Sequence, residues 1–158
     1  MVLNALFTNF EIMNKHFNSP IHFFYELPVS LRQRTRLKQA IAKTLKSHGR
    51  PIESLNFVFC SDERILEINK QYLQHDYYTD IISFELSHPS QPLVGEIYIS
   101  VDRVRDNAKQ LKQSFTRELH RVIIHGVLHF CGFKDKTKKE QEEMRKAEEK
   151  FLKGYLKG

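Results

Sequence analysis

RELHRVIIHGVLHFCGFKD, residues 117–135, is the stretch whose periodicity decides how this chain folds. On a helix, Leu119, Val122, Ile123, Val127 and Phe130 share an apolar arc, so the segment packs against something. Arg121, His125 and His129 fall on a different stripe at i, i+4 spacing. Two imidazoles one turn apart lie on the same face and can ligate one metal ion together. Gly132 is the expected helix terminator, since glycine takes positive φ at little steric cost. The chain then reverses, which puts Asp135 in reach as a third ligand. Three protein ligands with an open position is the arrangement of a catalytic zinc site. The pair alone is equally consistent with two hydrated histidines on a helix surface. The helical zinc hydrolase pattern His-Glu-x-x-His needs a glutamate after the first histidine as general base. Here that position is Gly126, which disfavours a peptidase and suits close approach of another backbone or a substrate.

Upstream, IHFFYEL (21–27) reads as a strand ending at Pro28. Ser30 is placed to cap a helix over 31–48, with Leu37, Ile41 and Leu45 at four-residue spacing and Gly49 as its stop. SLNFVFC (54–60) is a second strand, followed by a short helix opened by Ser61 or Asp62. Residues 71–79 are an aromatic, polar loop; IISFEL (81–86) and EIYIS (96–100) are two further strands. Helices follow at 101–113, 116–131 and 137–153, the last with Met144, Ala147, Phe151 and Tyr155 as its apolar stripe. The order predicts a single α+β domain with a four-stranded mixed sheet and about five helices. The metal site then sits on a helix of the C-terminal half. Residues 1–20 read as an N-terminal appendage closed by Asn18-Ser19-Pro20, with Met13 as a candidate natural start; residues 21–158 form the domain.

The 158 residues carry a formal net charge of +6, unevenly placed. Residues 1–100 are neutral, and the whole excess lies in 101–158. Residues 31–50 hold seven basic side chains and no acid. Such asymmetry suits RNA, DNA or a membrane surface, or else a solvated helical face. Arg32, Arg34, Arg36, Lys38, Lys43 and Lys46 are candidate contacts to a phosphate backbone. Tyr72, Tyr77 and Tyr78 either stack on unpaired bases or cover the sheet edge. No apolar run is long enough for a transmembrane helix, the N-terminus does not read as a secretory signal, and two cysteines make no disulfide framework. The expected location is the cytoplasm, with no membrane partner. Cys131 points off the histidine stripe and reads as a small apolar side chain. His120 reads as a surface histidine.

His125-Gly126-Val127-Leu128-His129-Phe130-Cys131-Gly132-Phe133 resembles the HGxLHxxG(Y/F) motif of the YbeY family, bacterial metal-dependent endoribonucleases of ribosomal RNA maturation. Asn69-x-x-Tyr72 with Asp76-x-x-Thr79-Asp80-Ile81-Ile82-Ser83-Phe84 is similar to that family's NxxYR…DxxTDVLSF segment. Gly95-Glu96-Ile97-Tyr98-Ile99 is similar to its GDIxI strand. The resemblance covers roughly 21–153. It implies one zinc ion per chain and cleavage of single-stranded RNA, notably maturation of the 3′ end of 16S rRNA. It also implies a small ribosomal subunit protein and a ribosome-assembly GTPase as partners. The family usually closes its motif with Asp-His, the histidine being the third ligand; here Lys134-Asp135 stand there, so the carried-over ligand is Asp135. The arginine that usually follows the tyrosine, and is thought to contact the scissile phosphate, is Leu73. His75, Arg121 and Lys134 are candidates to replace it, and Asp80 is a candidate to orient a ligating imidazole. Leu73 also keeps open a non-catalytic ribosome-associated maturation factor whose metal is structural.

Overall fold

The computed structural model describes residues 19–157. The appendage expected at 1–20, and a start at Met13, therefore lie almost wholly outside the described residues. The elements are β1 (Ile21–Tyr25), α1 (Arg34–Ser47), β2 (Ile52–Cys60), α2 (Asp62–Ile68), β3 (Ile81–Glu85), β4 (Leu93–Ser100), α3 (Val101–Gln110), α4 (Phe115–Phe130) and α5 (Lys138–Leu156). The four strands form one mixed sheet in the order β1-β2-β4-β3. β1 and β4 run parallel to β2, and β3 runs antiparallel to β4. This is the α+β domain that the element order predicts.

The central strands are buried on both faces, which is why they read as near-continuous apolar runs. Leu55, Phe57, Phe59, Ile97 and Ile99 belong to the main core with α1, α4 and α5. Val58, Cys60 and Tyr98 form a smaller core with Ile65 and Ile68 of α2. Two glycines set how closely α4 approaches the sheet. A Cβ on Gly126 would lie 2.8 Å from Ile81 Cδ1 and 3.0 Å from Ile97 Cδ1. A Cβ on Gly95 would lie 3.0 Å from the Phe130 ring. The close approach at Gly126 is thus to sheet side chains.

Helix starts follow side-chain capping. Ser61, Ser100 and Ser114 accept from the backbone N–H three residues on, and Thr137 with Glu140 forms a reciprocal capping box. The expected Ser30 cap is a correction. α1 begins at Arg34 after Gln33 in the left-handed region (φ 50°), with no side-chain cap. Leu31 is drawn into the main core, and the chain turns before the helix can start. The expected loop over 71–79 opens with a π-helical turn, Asn69–Leu73, in which Tyr72 meets Phe84 edge-on. α5 is longer than the expected 137–153 and runs across α4.

Candidate metal centre

α4 presents His125 and His129 one turn apart, and the chain reversal at Gly132 (φ 95°) brings Asp135 back over them. His125 Nε2 and His129 Nε2 are 3.0 Å apart. Asp135 Oδ2 lies 3.3 Å from the first and 3.4 Å from the second. The opposite ring nitrogens are occupied: His125 Nδ1 sits 2.6 Å from Glu148 Oε1, and His129 Nδ1 sits 3.0 Å from the Phe133 carbonyl oxygen. A nitrogen facing an acceptor carries the proton, so each Nδ1 donates. Both Nε2 atoms then hold lone pairs, and they converge with a carboxylate oxygen. Three acceptors at these distances repel one another unless a cation lies among them. The donor set thus fits a metal ion, and the Nδ1 contacts orient the imidazoles as outer-shell partners do.

The charges around the triad point the same way. Glu118 is fully buried and Glu148 nearly so. Arg121 donates to Glu118 through Nε (2.9 Å) and an Nη (2.7 Å), lies 3.4 Å from both Glu148 oxygens, and is 3.8 Å from Asp80. One guanidinium therefore faces three carboxylates, and Asp135 adds a fourth negative charge at the rim. The excess is negative, which a divalent cation would offset. Burial alone would lower the His125 pKa, but the hydrogen bond and charge of Glu148 outweigh it, and the net direction is upward.

Glu148 and Glu118 are site residues that the sequence reading missed. Glu148 occupies the buried stripe of α5 between Met144 and Leu152, and an acid in an apolar stripe was the available signal. Asp80 does not touch an imidazole; it accepts from Asn107 Nδ2 (3.1 Å) and faces Arg121. The orienting carboxylate is Glu148 because α5 crosses α4 directly above His125, whereas Asp80 sits at the start of β3. Arg121 is committed to carboxylates and is largely withdrawn from solvent. Lys134 is exposed, one residue before Asp135. His75 is exposed and stacks on Tyr77, its Nδ1 3.0 Å from the tyrosine hydroxyl. Leu73 is exposed and brings no charge.

Several other expectations change. His120 is buried between α4 and α5, its Nδ1 2.6 Å from the Thr116 carbonyl oxygen and its ring 5.2 Å from that of Tyr155. It is no surface histidine, because α5 covers a face that a simple two-layer reading leaves to water. Burial lowers its pKa. On α1, Arg36 donates to the Tyr155 carbonyl (2.6 Å) and lies over that ring, while Lys38 lies over Phe23. Arg32, Arg34, Lys43 and Lys46 are exposed.

A family model described as Endoribonuclease YbeY matches residues 26–156. The chain belongs to the YbeY endoribonuclease family. A family relative named Endoribonuclease YbeY, from Christiangramia forsetii, is 48% identical over 132 residues, covering 84% of this chain and 92% of its own. Another of that name, from Phocaeicola vulgatus, is 50% identical over 112 residues, covering 71% and 80%. The solution structure of a Thermotoga maritima protein superposes with a TM-score of 0.60 at 28% identity, over 87% of this chain and 91% of that one. Among the described residues, no helix is long and apolar enough to cross a membrane.

Proposed function

We propose that this chain is a metal-dependent endoribonuclease that cuts single-stranded ribosomal RNA. The observation that carries the reading is the convergence of His125 Nε2, His129 Nε2 and Asp135 Oδ2, with both Nδ1 atoms tied elsewhere. Two histidines and a carboxylate suit zinc, one ion per chain. Family membership supports the substrate class, because the relatives are named endoribonucleases. The same reading extends to 3′-end maturation of 16S rRNA in the cytoplasm. A small-subunit protein and an assembly GTPase would then be partners.

The chemistry that a bound divalent cation supplies is Lewis acidity toward water and a phosphoryl oxygen. The chain's own residues do the rest. Glu148 keeps the His125 proton on Nδ1 and its ring aimed, and the Phe133 carbonyl does the same for His129. Arg121 holds Glu148 and Glu118 in place, a positioning role. Lys134, exposed beside Asp135, is the cation assigned to the phosphate, taking the part for which Leu73 has no charge. Water adds to phosphorus, the bridging P–O bond breaks, and the leaving oxygen takes a proton.

The absence of charge at Leu73 favours one competing reading, a ribosome-associated factor with a structural metal. Metal-loaded wild type, His125→Ala and His129→Ala are assayed side by side on precursor small-subunit rRNA. Cleavage by wild type alone is expected. Equal cleavage by all three overturns the metal-centred reading, and RNA binding without any cleavage favours the factor.

A further inference from the structure

A groove of about 630 Å³ runs between α1 and the second half of α5, on the opposite side of α5 from the metal centre. Its floor includes Leu128, Phe133 and Phe151, and Arg36, Lys43 and Lys150 stand around it. No acidic side chain lines it. Lys43 and Lys150 are exposed, on different helices, with no anionic partner among the described residues. Phe151 is half-buried and stacks on Tyr155 with centroids 5.5 Å apart and planes 13° apart. The Tyr155 hydroxyl is buried in the same wall without a hydrogen-bond partner.

Aromatic and apolar surface below with uncompensated cations above is the chemistry of a single-stranded nucleic-acid site. Bases stack or bury, and phosphates meet lysines. The volume lies within the range of small-ligand pockets. The position also fits a substrate strand. Neighbouring residues face the two sites: Ala147 lines the groove and Glu148 holds His125; Leu128 lines the groove and His129 belongs to the triad. Phe133 joins them, its ring in the groove and its carbonyl on His129. The turn carrying Lys134 and Asp135 bridges from one to the other.

We infer that this groove binds an unpaired nucleotide of the RNA strand beside the scissile bond, its base against Phe151 and its phosphate between Lys43 and Lys150. The inference rests on the ribonuclease reading for its substrate class. An apolar groove can also take a protein segment; the lack of acids and the two free lysines favour a polyanion.

The test measures binding of a fluorescein-labelled oligouridylate by anisotropy over a salt series. The full chain is used in EDTA, so that cleavage does not enter. Lys43→Glu/Lys150→Glu should weaken binding about tenfold or more. It should also flatten the log Kd against log salt plot by about 1.4, from two lost phosphate contacts at roughly 0.7 each. Unchanged melting temperature shows that the exposed substitutions leave the fold intact. An oligomer carrying 4-thiouridine should photo-crosslink to the peptides holding Phe133 or Phe151. Wild-type protein that binds no oligomer, affinity within twofold after the double reversal, or crosslinks confined to other peptides overturns the proposal. Loss of binding in a protein that cleaves nothing would leave the groove standing and remove the ribonuclease reading. Metal-dependent cleavage with affinity untouched by the reversal would do the opposite.

Discussion

Glu148 Oε1 lies 2.6 Å from His125 Nδ1, so a side chain of the last helix orients a histidine of the helix before it. The contact joins two segments 23 residues apart in sequence. It also places a nearly buried carboxylate where only a hydrogen bond and Arg121 compensate it. Such a group is expensive to bury alone, so its partners define its purpose.

Removing that carboxylate should loosen the metal. Glu148→Ala is expected to weaken zinc affinity about 10–100-fold, the range for outer-shell partners of ligating histidines. Glu148→Gln keeps an acceptor without the charge and should fall between. Competition with a chromophoric chelator measures both, and affinities equal to wild type would refute the role.

Asp135 is expected to be the third ligand. Metal content per chain, by elemental analysis, should fall on Asp135→Ala. Asp135→His restores the residue usual in the family and should bind zinc at least as tightly as wild type, because imidazole is a softer donor. Full occupancy in the alanine variant would remove Asp135 from the ligand set.

Gly126 should tolerate no side chain without cost. The alanine Cβ would sit 2.8 Å from Ile81 Cδ1, and overpacking of this kind costs about 1–3 kcal/mol. Urea denaturation of Gly126→Ala should show that loss. Gly126→Ala/Ile81→Val deletes the clashing methyl and should recover part of it; a purely additive cycle would contradict the close contact.

His120 should make stability depend on pH. Burial lowers its folded pKa below the unfolded value of 6.5, so the unfolded chain binds the proton more readily. Its contribution is present above pH 6.5 and is lost as pH falls from there through the folded pKa. His125 has the opposite shift in the metal-free chain, so the comparison must be between variants. The melting temperature of His120→Gln should fall less than that of wild type between pH 7.5 and pH 5.5. Parallel curves would show that His120 does not titrate in this window.

Much of the fold is legible in local pattern. The i, i+4 stripe on 117–135, the Gly132 stop and the serine caps at 61, 100 and 114 are short-range physics, set by helix geometry and backbone hydrogen bonding. Where local pattern misleads, a long-range contact competes. Ser30 loses its cap because Leu31 is pulled into the core. Arg117 pairs with Glu149 at 2.7 Å, although Lys153 stands one turn from that glutamate.

The sequence by itself determined the mixed sheet, the five helices and the three metal-binding candidates, because period, turn chemistry and spacing act over a few residues. Only the tertiary structure decided which carboxylate orients His125, that Arg121 faces inward to three acids, and that His120 is buried. Those outcomes depend on where α5 crosses α4, and a crossing between helices brings together side chains that no local spacing relates. The physical reason is burial: once α5 covers that face, each charge on it must find a partner within reach, and the crossing selects which.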